Sequence, residues 1–492
     1  MHATRLFLAA VLTTLSLLAT ACGGGGGGGA LPGGSTPEGA ALVRAAVLAF
    51  VSLDTDTGSS QWQALDDLSQ KFPDREKLIQ QLKQSINEEG LDFDRDVKPA
   101  LGPELDIVVS RDATVDETAV VGLTKPDDPD KFKALVAKAN AGESGDDRAV
   151  LREIGDGWYA ISDSQGAITR VLAGDSGDKL SDGDQFGEAM DKLPGEALAK
   201  LYLDGRELRE VLAQQGSTVD PSTAGLDELR YVAASASAED DGVRVHGATV
   251  GLKAGTGNFS SELVPGVPGD ALALLDFRGE GTIDQLEKLK SNPQVGQALQ
   301  QLEAMLGVPF EEVLALLRNE VAFYVRPGAG IPELTLVLQT PNEANALATL
   351  DKLAQRLAAA AGTQVQEGTQ GGHTVKTINF GQFQVHYGAA DGKVLVTSGV
   401  NGIAEYGGSG ERLPDSADFE EAQAAAEMPD EHGAFFYVNL KDALPLIEGL
   451  AGLAGESLPS DVTENLRPLR SFLAWGEGSG DSASFDAFLE IK

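Results

Sequence analysis

The chain of 492 residues carries 75 acidic against 38 basic side chains, for a formal charge of −37, with 42% apolar residues, one cysteine and five histidines. At about 150 residues per domain this length fits two to four domains, and the ordinary apolar fraction excludes disorder along the whole chain. A single cysteine excludes a disulfide framework and a Cys-rich zinc module, and the acidic excess excludes a broad nucleic-acid surface, which depends on clustered Lys and Arg.

Residues 1–21 have the order of a secretory signal. His2 and Arg5 form a weakly basic head, Leu6 to Leu18 an apolar core, and Ala19-Thr20-Ala21 a small-residue cleavage site. A spanning helix needs about 20 apolar residues, so this core is too short to stay as one. The lone cysteine, Cys22, follows Ala21 directly. The arrangement resembles the lipobox of bacterial lipoproteins, which implies a cut between Ala21 and Cys22, acylation of the Cys22 thiol by fatty acids such as palmitate, and a membrane anchor. Residues 22–39, with seven glycines at 23–29, read as a flexible spacer. The acidic body would be repelled by anionic lipid, so acyl chains rather than surface charge would hold it at the extracytoplasmic face.

The body reads as one α+β unit written twice, over 40–253 and 264–492, with 254–263 as the linker. Glu104-Leu105-Asp106-Ile107-Val108-Val109 matches Glu320-Val321-Ala322-Phe323-Tyr324-Val325, and Leu123-Thr124-Lys125-Pro126 matches Leu338-Gln339-Thr340-Pro341. Gly90 and Phe93 match Gly307 and Phe310, Asp184 and Phe186 match Asp418 and Phe419, Pro194 and Tyr202 match Pro429 and Tyr437, and Leu226 to Arg230 matches Leu466 to Arg470. Each match is short, but the order never changes.

In chain order, a strand at 47–53 (271–277 in the second unit) precedes a helical region with Leu65, Leu68, Leu78, Ile79 and Leu82 at three-to-four spacing. Strands follow at 104–110 and 117–124 (320–326 and 332–339). Pro126 and Pro341 then open helices with Phe132, Leu135, Val136 and Ala139, or Leu347, Leu350, Leu353 and Leu357, facing inward. Hairpins turn at Gly155-Asp156-Gly157, Gln165-Gly166, Gly381-Gln382 and Asp391-Gly392. A helix, a strand (198–203 or 433–438), a further helix and two closing strands complete each unit. Short turns between consecutive strands predict a mainly antiparallel sheet with helices packed on one face.

The Ala-Phe-Val-Ser-Leu-Asp strand (49–54), the Gly-x-x-Phe segment running into Leu101-Gly102-Pro103-Glu104, and Leu-Pro-x-Ser-x-x-Phe at 413–419 resemble a bacterial family known as domain of unknown function 3352. The resemblance, spanning most of residues 40–492, implies a secreted or membrane-anchored protein and transfers no catalytic residue.

No constellation for chemistry emerges. Gly174-Asp175-Ser176-Gly177 looks like a serine-protease loop but lacks a partner histidine in context, His246 being nearest in sequence. Asp54-x-Asp56-x-Gly58 and Asp92-x-Asp94-x-Asp96 lack the glycine and glutamate of a calcium loop and read as helix caps. His373, His386 and His432 lack zinc spacing. Trp62, Trp158, Trp475, Tyr202, Phe323, Tyr324 and Tyr437 read as core rather than as a ligand groove. The expectation is therefore a lipid-anchored, non-enzymatic binding or scaffold protein with no catalytic, metal or cofactor residue, Cys22 being the functional site. Its partners are the membrane, through the anchor, and an unidentified protein or apolar ligand, with no nucleic acid. A lipid carrier with a sheet–helix cavity is the alternative, and a carboxylate-only hydrolase stays open.

Overall fold

The computed structural model describes residues 36–492, leaving out 89, 113–116, 143–147, 175–176, 215–225, 253–256, 282, 284–292, 329, 382 and 454–457. Internal contacts gather into two compact units that change over between Leu252 and Lys253, and each is described by itself.

The first unit holds strands β1 (Ala49–Asp54), β2 (Glu104–Asp112), β3 (Glu117–Thr124), β4 (Val150–Gly155), β5 (Trp158–Ser162), β6 (Ala199–Asp204), β7 (Tyr231–Glu239) and β8 (Gly242–Val250). They pair antiparallel throughout, in the order β4-β5-β3-β2-β1-β6-β7-β8. The β4–β5 hairpin turns at Asp156 and Gly157, both with positive φ, the backbone that an Asp-Gly turn accommodates. Its helices are α1 (Ser60–Gln70), α2 (Arg75–Glu88), α3 (Pro129–Ala139), α4 (Gln165–Val171), α5 (Asp184–Asp191) and α6 (Gly205–Gln214). Asp128 caps α3 by accepting from the amides of Asp130 and Lys131, so the helix opens there and not at Pro126. Gln165-Gly166 is not a hairpin turn. Ser164 accepts from the Ala167 amide and starts α4.

The second unit holds β9 (Ala273–Arg278), β10 (Glu320–Arg326), β11 (Glu333–Gln339), β12 (Val365–Gln370), β13 (His373–Asn379), β14 (Gln384–Ala390), β15 (Lys393–Thr397), β16 (Ala434–Asn439), β17 (Leu469–Ser479) and β18 (Ser482–Ile491). Their antiparallel order is β12-β13-β14-β15-β11-β10-β9-β16-β17-β18. The β13–β14 hairpin pairs Asn379 with Gln384, so the predicted Gly381 lies in its turn, while Gln382 is outside the described residues. The main helices are α7 (Pro293–Leu306), α8 (Phe310–Leu316), α9 (Glu343–Ala360), α10 (Ala417–Ala426), α11 (Leu440–Leu453) and α12 (Ser460–Leu466).

Helices lie on both faces of each sheet, which corrects the one-face expectation. In the first unit α4 (Ala167, Ile168, Val171) and α5 (Phe186, Ala189, Met190) pack on Phe50, Val121, Ala160 and Tyr202. Across the sheet α3 lays Phe132, Leu135 and Val136 on Tyr159 and Ile161. Neighbours on a strand face opposite ways, so Tyr159 and Ala160 separate the two layers. In the second unit α10 packs on Phe435 and Tyr437, while α9 covers Val321, Leu338 and Val394 from the other side. It does so through Ala346, Leu347 and Leu350, and packs Ala354 and Ala358 on Ile378 and Tyr387, whereas Leu357, expected inward, is 51% exposed. Both expected spacers also end earlier than predicted. Gly39 is buried at the start of the first unit, and Phe259 and Leu263 are buried in the second.

Candidate functional site

Two features of the described residues depart from what a plain sheet-and-helix fold requires: a buried aspartate beside a glutamate in each unit, and an apolar sheet face left partly open.

In each unit the segment leading into the sheet is pinned by a glutamate at the start of the second strand. Glu104 accepts from the amides of Glu38 (3.2 Å) and Gly39 (2.9 Å). Glu320, fully buried, accepts from the Ser261 hydroxyl (2.6 Å) and from the amides of Glu262 (2.9 Å) and Leu263 (2.8 Å). Beside each glutamate lies an aspartate with no exposure, and neither Asp106 nor Asp276 has a hydrogen-bond partner of normal geometry for its carboxylate oxygens. Asp106 on β2 sits opposite Ser52 of β1; Asp276 on β9 sits opposite Ala322 of β10. The buried acid thus occupies the same rung in both units, on opposite strands of the pair. Burial, then the negative charge of Glu104, holds the Asp106 carboxyl well above the usual carboxylate range. Burial and Glu320 push Asp276 up to about 8. Gly39 is required beside this pair, since a Cβ there would lie 1.7 Å from the Asp106 Oδ2. Asp106, Asp276 and Glu320 are sealed from solvent, whereas Glu104 is partly exposed. With no exposure, Asp106 and Asp276 offer a substrate no access.

The open face belongs to the second sheet. On β9, Ala273, Leu275 and Phe277 point to one side. Opposite them stand Val325, Phe323 and Val321 of β10, and Val438, Phe436 and Ala434 of β16. The next strands continue the rows with Leu334, Leu336 and Leu338 on β11 and with Phe472, Ala474 and Gly476 on β17. No polar side chain interrupts these three rows across five strands. At their centre Leu275, Phe323 and Phe436 remain 37%, 37% and 39% exposed, and Leu334 is 45% exposed. Helix α9 shields the β11 side, and α11, with no fully buried residue described, lies along β17. In the first unit the matching positions, Val51, Ile107 and Leu201, are buried or half-buried.

The remaining sequence candidates fall into structural roles. Ala21 and Cys22 lie outside the described residues, as do Asp175 and Ser176. Asp54 accepts from the Asp56 amide and the Ser59 hydroxyl, and Asp56 accepts from the Gly58 amide, a capping turn ahead of α1. Asp92 accepts from the Arg95 amide, Asp94 pairs with Lys83 at 2.6 Å, and Asp96 pairs with Arg95 and Lys138. His386 meets the Thr377 hydroxyl at 2.8 Å, and His432 packs on Phe259 and Phe435, where burial pushes its pKa down to about 4. Among the described residues no group of three or more His, Cys, Asp or Glu could hold a metal ion. Nor is any described helix long and apolar enough to cross a membrane. Trp158, Trp475, Tyr202, Tyr324 and Tyr437 fill the cores as expected, whereas Phe323 does not. The acid pairs were not predicted, because an aspartate between apolar neighbours reads as solvent-facing; the three rows were visible only as apolar runs.

No curated protein matches the sequence. Among solved structures, crystal forms I, III and IV of TP0453 are similar at 10–12% identity, over 45–46% of this chain and 76–80% of that one, with TM-scores of 0.24–0.25. Likeness at that level adds nothing to the architecture above. Of the three segments that carry the family resemblance, only 413–419 falls within the residues a family model matches. That model covers residues 143–490, well over half the sequence, and the chain belongs to the family described as Protein of unknown function (DUF3352).

Proposed function

We propose that the protein is a non-enzymatic, extracytoplasmic binding protein, tethered by an acylated Cys22, whose second unit takes an acyl chain of a lipid on its open sheet face. The observation that carries the reading is the central stripe of Leu275, Phe323 and Phe436, cross-strand neighbours that stay more than a third exposed. Monomeric proteins seldom leave contiguous apolar surface open unless something covers it. Five strands spaced by ~4.8 Å make an apolar run of about 19 Å, longer than one leaflet's half of a ~30 Å hydrocarbon core. A folded protein partner would call for polar groups among the contacts, and the rows provide none. The two units are further read as copies of one ancestral unit. Their shared strand order, with β12 and β13 as an added hairpin, supports this, as do the six ordered sequence matches.

Native mass spectrometry of gently purified protein is expected to retain endogenous lipid. Phe323→Asp should lose it, while Phe383→Asp, at an exposed position outside the rows, should not. Lipid-free wild-type protein, or equal retention in both variants, would overturn the assignment. The anchor is tested separately: Cys22→Ala should move the protein from the detergent phase to the aqueous phase, and unchanged partitioning would count against acylation.

A further inference from the structure

On the opposite face of the second sheet, one residue along from Phe436, lies a cavity of ≈ 260 Å³ lined by Tyr437, Arg470, Lys441, Lys492 and their acidic neighbours. Its lysines are neutralised in place. Lys441 pairs with Asp418 at 2.9 Å, and Lys492 pairs with Glu421 and Glu490 at 2.5 and 2.6 Å. Two groups are left over. Arg470 has no ion-pair or hydrogen-bond partner among the described residues, and neither does the Tyr437 hydroxyl, although Tyr437 is wholly buried as a residue. Burial and the carboxylates of Asp418, Asp442 and Glu490 raise the Tyr437 hydroxyl well above its ordinary value, which keeps it protonated as a donor.

The first unit shows what closure of this site looks like. There Tyr202 accepts from the Gln185 side chain at 2.7 Å and donates to Asp204 at 3.3 Å, and Arg230 pairs with Glu188 at 2.8 Å. In the second unit the chain runs directly from Asp418 to Phe419, leaving out the glutamine. Asn439 turns to Asp442 and Asp418 instead, and Glu421 is taken by Lys492. The same constellation is therefore internally satisfied in one unit and left with a spare guanidinium and a spare hydroxyl in the other.

We infer that the second-unit cavity is a binding site for a compact oxyanion, the carboxylate or phosphate group of a small polar molecule, held by the Arg470 guanidinium and the Tyr437 hydroxyl. A planar guanidinium presents paired donors that match such groups. The volume equals about nine waters at ~30 Å³ each, which excludes a nucleotide or a lipid body.

The test is titration calorimetry of the full chain with succinate and with inorganic phosphate at constant ionic strength, sodium chloride serving as the reference. Saturable binding of at least one anion, one per chain, is expected. Arg470→Gln and Tyr437→Phe should each weaken it about tenfold or more, as removing a charge-assisted hydrogen bond does, while Arg230→Gln leaves it unchanged. The anion that binds distinguishes carboxylate from phosphate recognition. Tyr437→Phe conserves the packing volume, so it carries the test if Arg470→Gln fails to fold. No saturable binding of either anion, or binding that Tyr437→Phe leaves intact, overturns the inference.

Discussion

Asp276→Asn is expected to raise the melting temperature, with a gain that grows from pH 4 to pH 8 and then levels off. Asp276 is completely buried beside Glu320, and its carboxyl is pushed up to about 8 from an ordinary 3.8. The folded state therefore holds a proton that the unfolded chain releases near pH 4. Where the native state binds more protons, stability falls as pH rises, by at most about 1.4 kcal/mol per pH unit for one group. The loss runs between the unfolded and folded values, from roughly pH 4 to pH 8, and is complete above that. Asparagine keeps the shape and removes the titration. At pH 4 the two proteins should melt at similar temperatures, and by pH 8 the variant should be clearly ahead. Asp106 is shifted in the same direction, so Asp106→Asn should flatten what slope remains. Melting scans at pH 4, 6 and 8 decide the matter: a wild-type protein whose stability rises across this window would show that neither aspartate keeps its proton in the fold.

Much of this fold was legible because the local signals agreed. Strands expected at 104–110, 117–124, 320–326 and 332–339 form at Glu104–Asp112, Glu117–Thr124, Glu320–Arg326 and Glu333–Gln339, and Asp391-Gly392 forms the tight hairpin its composition predicts, with φ of 49° and 81°. The sidedness of the helices was missed, although the signal was present. Ile107 and Val108 are adjacent on β2 and both buried, so both faces are covered, and such strands read as continuous apolar runs rather than alternating ones. Gln165-Gly166 misled because the serine before it caps a helix, and tertiary packing of Ala167 and Ile168 favoured that outcome over a turn.

The candidate sites were less legible, for a different reason. Glu104 and Glu320 were matched as equivalent positions, but their task is set by backbone amides more than fifty residues away, which no local pattern reveals. The spare Arg470 could be seen only by comparing what surrounds it with what surrounds Arg230. In each case the informative quantity is a missing partner, and a missing partner is a property of the packed chain.

The other large effect expected is the loss of the second unit's stability in Glu320→Ala. The Glu320 carboxylate takes the Ser261 hydroxyl and two backbone amides while fully buried, so its removal strands the amides of Glu262 and Leu263 where water does not replace it. Hydrogen bonds to a charged group contribute about 1.5–3 kcal/mol each, and a buried donor left unpaired costs about 1–3 kcal/mol more. A destabilisation of about 4 kcal/mol or more is therefore expected, against a smaller loss in Glu104→Ala, whose carboxylate is only partly buried and takes two amides. The two acids of a pair are also coupled. Removing Glu320 withdraws a negative charge from Asp276 and lowers the cost of ionising it, so Asp276→Asn should stabilise the Glu320→Ala background less than it stabilises the wild type at pH 8. Denaturant unfolding of the four proteins in this cycle, with Glu104→Ala as a fifth, measures both effects. Strictly additive changes would place the two carboxylates out of electrostatic reach of one another, and a loss in Glu320→Ala no greater than in Glu104→Ala would refute the pinning role assigned to the buried glutamate.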